Sequence, residues 1–95
     1  MIDNMDAIKK KALPILRDAG VKCSSLFGSV VRGEAKKGSD IDILIEPPQK
    51  MSLFGFIELQ QSLEAVLKRK VDLGEYSTIK PRLKDSILKS AVQIL

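Results

Sequence analysis

The stretch "GSDIDILIE", Gly38 to Glu46, governs how the rest of the chain is read. Ile41, Ile43, Leu44 and Ile45 make a short apolar run, and Pro47-Pro48 ends it because proline cannot continue a ladder. The run predicts a strand over 40–46. Two aspartates stand at its mouth. Side chains two apart in a strand share a face, so Asp40 and Asp42 lie roughly 7 Å apart along it. Like charges at that spacing repel, and partial burial strengthens the repulsion. A compensating cation is therefore expected.

Working outward, "VKCSSLF" (21–27) reads as a strand with Val21, Cys23, Ser25 and Phe27 on one face. "SVVRGEA" (29–35) predicts a short helix and "AKKGS" (35–39) a turn. Upstream, Ile8, Ala12, Ile15, Leu16 and Ala19 recur at helical spacing over 3–19, with Asp3 or Asn4 to cap the start and Gly20 to end it. Pro14 lies inside that span and is expected to kink or split the helix. Downstream, residues 52–69 form the clearest helix. Ser52 caps it, and Leu53, Phe56, Leu59, Leu63, Val66 and Leu67 make its buried stripe. "KVDLGE" (70–75) is a short strand, with Tyr76 expected to pack at its end. Pro81 suits the first turn of a last helix whose Leu83, Ile87, Leu88, Ala91 and Leu95 supply an amphipathic face.

The order α-β-α-β-α-β-α points to one α/β (α+β) domain over residues 1–95, a small mixed sheet of about three strands flanked by helices. The strands at 40–46 and 70–75 bracket a long helix, so they should be parallel with a right-handed crossover. Only about a dozen residues join the first two strands, which fits an antiparallel pair.

Composition narrows the chemistry. The 95 residues contain no histidine, which removes histidine-based nucleophilic catalysis and most zinc sites. A metal here would be held by carboxylate oxygen, which favours Mg²⁺, Mn²⁺ or Ca²⁺. Cys23 is the single cysteine and reads as a core residue with no disulfide partner, in keeping with a reducing cytoplasm. No apolar run approaches a membrane span, and "MIDNMDAIKK" lacks the order of a secretory signal. The net charge of +4 is spread over solvated helix faces and is compatible with a polyanionic partner.

If the first two strands are antiparallel and the second pair parallel, three things meet at one sheet edge. They are the Asp40-Asp42 pair, Asp72 early in the last strand, and the Gly28-Ser29 turn that ends the first. Two divalent cations about 3.5–4 Å apart would relieve the carboxylates and clamp the attacking and leaving oxygens of a phosphoryl displacement. Gly28 lets a phosphate approach the backbone, Ser29 offers a hydroxyl, and the N–H groups of the following helix would face the anion. Arg32, one turn on, could neutralise phosphate charge or hold the turn in place. The loop is not a Walker A motif, because Glu34 stands where the lysine should be.

"LFGSVVRGEAKKGSDIDILIE" (26–46) resembles the nucleotidyltransferases of the DNA polymerase β superfamily, and most closely the minimal MNT domains of HEPN/MNT toxin–antitoxin pairs. Gly28-Ser29, ten residues, then Asp40-Ile41-Asp42 fit their pattern without a gap. Arg32, Gly33 and Ser39 match further positions, "KRKVDLGE" resembles the strand with the third carboxylate, and Val31 departs from the usual small residue. The resemblance implies a polymerase-β-like fold and AMP transfer from ATP with Mg²⁺. Asp40, Asp42 and Asp72 would be catalytic metal ligands, and Gly28, Ser29, Arg32 and Ser39 would bind the nucleotide. It also implies the acceptor, a tyrosine hydroxyl of a partner HEPN ribonuclease toxin.

Two other readings use the same residues. The domain could neutralise a toxin by covering it, with a nucleotide site that does no chemistry. It could instead transfer nucleotides to RNA, which is less favoured because so short a chain leaves nothing to grip an RNA body.

Overall fold

The computed structural model describes residues 5–28 and 40–95. The helix and turn expected at 29–39 lie outside them. The described elements are α1 (Met5–Asp18), β1 (Cys23–Phe27), β2 (Ile41–Glu46), α2 (Leu53–Leu67), β3 (Val71–Glu75), a 3-10 turn at Tyr76–Thr78, α3 (Pro81–Ser90) and β4 (Val92–Gln93).

The strands form one mixed sheet in the order β3-β2-β1-β4. β1 and β2 are antiparallel, with Phe27 opposite Asp42 and Cys23 opposite Glu46. β2 and β3 are parallel, as the long crossover helix requires, with Ile41 opposite Val71 and Asp42 opposite Asp72. The sheet is thus mixed as expected, but it has four strands among the described residues. β4 pairs antiparallel with β1, and Ile94 N–H reaches the Ser24 carbonyl at 2.9 Å. The last helix accordingly stops at Ser90, and Ala91 to Leu95 are not its continuation. Periodicity could not reveal a strand this short, because its pairing is supplied wholly by a distant partner.

Alternation along β2 divides the sheet into two faces. Ile41, Ile43 and Ile45 are fully buried and join Leu26, Val71 and Leu73 in one cluster with Ile8, Ala12 and Leu16 of α1 and Leu59, Leu63 and Leu67 of α2. The two helices therefore cover one face. Asp42, Leu44 and Glu46 point to the other face, where Leu44 is itself buried.

Local chemistry explains the helix ends. The Ser52 hydroxyl accepts the Gly55 N–H at 3.1 Å at the start of α2, and Lys68 closes it in the left-handed region at φ 54°. Pro14 does not split α1, which runs on through it. Pro14 and Lys10 are both exposed, so the carbonyl that loses its partner can turn to water. Leu53 is another departure from expectation. It is 73% exposed and stands to one side of the buried line of Leu59, Leu63 and Leu67. No helix among the described residues is long and apolar enough to cross a membrane.

Candidate active site

The parallel register puts Asp42 and Asp72 side by side on the face the helices leave open. Neighbouring strands are about 4.8 Å apart, so the two carboxylates issue from adjacent backbones at that spacing. Asp42 is half-buried and Asp72 exposed. Asp40, also exposed, sits one residue before β2, with parity that matches Asp42. The pairing reaches this rim, since the Ile41 N–H donates to the Lys70 carbonyl at 2.9 Å. All three acids thus stand at the edge where β2 and β3 begin. Among the described residues no three acidic or cysteine side chains close into a ready-made metal cluster. The acids share a face and an edge without converging on one point.

Gly28 arrives at the same rim from β1. Its φ of +79° is a conformation that side chains disfavour, and a Cβ placed there would drive into the Asp42 carboxylate, whose Cγ would stand at 3.1 Å. The turn and the aspartate are therefore in direct apposition. Ser29, Arg32 and Ser39 lie outside the described residues.

Two side chains that the sequence did not single out hold the third acid in place. The Gln60 amide Nε2 donates to the Val71 carbonyl at 2.9 Å, and the Val71 N–H donates to the Glu64 carboxylate at 2.9 Å. β3 is an edge strand, and these bonds satisfy both outward-facing groups of the residue before Asp72. Gln60 and Glu64 are one helical turn apart on α2, so they reach the same residue together. Their polar positions beside the apolar stripe carried no signal of this in the sequence.

The open face continues away from the rim. The Tyr76 hydroxyl donates to Ser25 Oγ at 2.7 Å, drawing the 3-10 turn across the sheet, and the Cys23 thiol meets the Glu46 carboxylate at 3.6 Å. Cys23 is thus a partly exposed wall residue and not part of the core. Burial, helped by the Glu46 charge, pushes its thiol above its usual range, and burial also pushes up the Tyr76 phenol. These residues, with Leu88 of α3 and Gln93, line a groove of about 470 Å³. A larger cavity of about 670 Å³ opens between Ala19, Met51 and Leu59. That cavity lies at the opposite end of the sheet, and none of the three aspartates lines it.

The candidate site thus sets carboxylates paired across parallel strands, with a glycine turn against one of them, on the sheet face opposite α1 and α2. The chain belongs to the nucleotidyltransferase domain family, whose description matches residues 9–94, and it is a nucleotidyltransferase. It is 48% identical over 92 residues to the Methanocaldococcus jannaschii protein named "Putative protein adenylyltransferase MJ0435", covering 97% of this chain and 99% of that one. It is 44% identical over 75 residues to the protein adenylyltransferase MntA of Thermococcus cleftensis, covering 79% of this chain and 76% of that one. A crystal structure described as a toxin-antitoxin with AMP-PNP superposes with a TM-score of 0.78 at 27% identity, covering 92% of this chain and 72% of that one.

Proposed function

We propose that the protein transfers AMP from ATP to a hydroxyl of a HEPN toxin, most simply a tyrosine, and so acts as that toxin's antitoxin. The observation that carries this reading is the Asp42–Asp72 register with Gly28 packed against Asp42. It is supported by the protein adenylyltransferase names of the relatives and by the AMP-PNP-bound toxin-antitoxin neighbour.

The donor set fits Mg²⁺, being three hard carboxylate oxygen donors at one rim with no soft ligand among them. Asp40, Asp42 and Asp72 would hold it, and bound Mg²⁺ supplies neutralisation of phosphate charge. Gly28 keeps the phosphate approach open where any Cβ would close it. Ser29, Arg32 and Ser39 complete the nucleotide site as hydroxyl and guanidinium donors. Asp72, on the β3 side and farthest from the Gly28 turn, faces the acceptor and takes its proton. The acceptor oxygen then bonds to the α-phosphorus, the bond from that phosphorus to the bridging oxygen breaks, and pyrophosphate leaves.

Incubation with ATP labelled at the α-phosphate, Mg²⁺ and the HEPN toxins of the same organism tests this. Label should appear on a toxin tyrosine and vanish with Asp42→Asn. Full toxin neutralisation by that variant, with no label transferred by the parent, would favour neutralisation by covering alone.

A further inference from the structure

Helix α3 is amphipathic, yet it buries none of its residues. Leu83 and Leu88 are 46% and 39% exposed, and Ile87 is only partly covered. A helix of ten residues is marginal by itself in water, so an apolar stripe that its own core ignores suits a second surface. Four basic residues, Lys80, Arg82, Lys84 and Lys89, border that stripe against the single Asp85.

The position of α3 ties the stripe to catalysis. Leu88 and Ala91 form one wall of the groove whose other residues include Ser25, Glu46 and Tyr76. Ser25 stands opposite Leu44, and Leu44 is two residues from Asp42 on the same face, a step of about 7 Å. The groove therefore lies on the same sheet face as Asp42 and Asp72, starting one such step from Asp42 and extending away from the rim to Cys23 and Glu46. An acceptor protein has to cover this open face for its hydroxyl to reach the two aspartates.

We infer that the α3 stripe of Leu83, Ile87 and Leu88, with the adjoining groove, is the docking surface for the acceptor protein, and that it fits an apolar patch rimmed by acidic side chains. This rests on the reading of the protein as an adenylyltransferase. The basic border steers such a partner into register, and the apolar centre holds it. A polynucleotide would use the basic residues but gain little from three aliphatic side chains, and the polar groove floor is a poor seat for lipid.

The test compares the intact protein with Leu83→Asp/Leu88→Asp and, separately, with Arg82→Glu/Lys84→Glu, using a HEPN toxin of the same organism as the probe. Both pairs are exposed, so helical content and thermal midpoint should match the parent, and Mg²⁺-AMP-PNP binding should be unchanged. The first pair should weaken toxin binding at least tenfold and raise the KM for toxin with little change in kcat. The second should do the same and flatten the salt dependence of binding. Toxin affinity and KM within twofold of the parent in both variants would overturn the docking assignment. So would a loss confined to RNA or to anionic lipid vesicles. If the parent binds toxin through α3 but transfers no AMP, the adenylyltransferase reading fails and the docking surface stands. If both variants transfer AMP at the parental KM, the docking surface fails and that reading stands.

Discussion

The rim where β2 and β3 begin and the segment from Pro81 to Gln93 handle their polar and apolar groups in opposite ways. At the rim, charged side chains are fixed by backbone. The register aligns Asp42 with Asp72, Gly28 abuts Asp42, and Gln60 and Glu64 hold the peptide before Asp72. In α3, apolar side chains are left uncovered by the chain's own core. The contrast teaches that function here draws on two kinds of order. Chemistry needs groups held before the substrate arrives, whereas docking needs surface left unsatisfied until it does.

The largest effect expected from breaking the rim is on catalysis. Asp72→Asn keeps the shape of the side chain and should lower AMP transfer by about 10³-fold in a radiolabel assay, with the thermal midpoint little changed. Gly28→Ala should cost about 10²-fold in transfer, because the new Cβ displaces the Asp42 carboxylate. It should also lower stability by about 1–3 kcal/mol through strain at φ +79°, seen as a fall in the denaturation midpoint. Glu64→Gln alters the clamp without touching substrate. It should cut kcat by about 10-fold while leaving ATP affinity near the parent value. An unchanged kcat would show that β3 needs no such support.

The comparison sharpens further within α2. Leu63 is fully buried, and Leu63→Ala should destabilise the protein by about 2–5 kcal/mol in urea unfolding. Leu53 lies six residues before Leu59, the first buried position of the helix, and its exposure predicts that Leu53→Ala stays within about 0.5 kcal/mol of the parent. The smallest effect concerns pH. The Cys23 thiol is raised in the folded protein, so its contribution is fully present below the unfolded thiol pKa and is lost as pH rises through the higher folded one. Cys23→Ser should therefore lessen the loss of stability on the alkaline side only, read from thermal midpoints across that range.

Most of this was legible from spacing. Alternation placed Asp40 and Asp42 on one face, and the long crossover helix required β3 to be parallel to β2. Those two facts together bring Asp72 to the rim. The parts that were not legible have a common cause. β4 exists because β1 offers it an edge, and Gln60 and Glu64 matter because β3 is the outermost strand. Each depends on what a distant segment leaves open, which local pattern does not encode. The same applies to α3, whose periodicity promised a buried face that the fold does not provide.

Metal uptake at the rim is the most direct test of the paired-carboxylate account. Mn²⁺ can be titrated in the presence of AMP-PNP and followed by the loss of its free-ion paramagnetic signal. The parent protein should take up the ion, and Asp42→Asn/Asp72→Asn should bind it at least tenfold more weakly while remaining folded. Equal uptake by the two proteins would contradict the assignment of these neighbouring aspartates as the metal and nucleotide site.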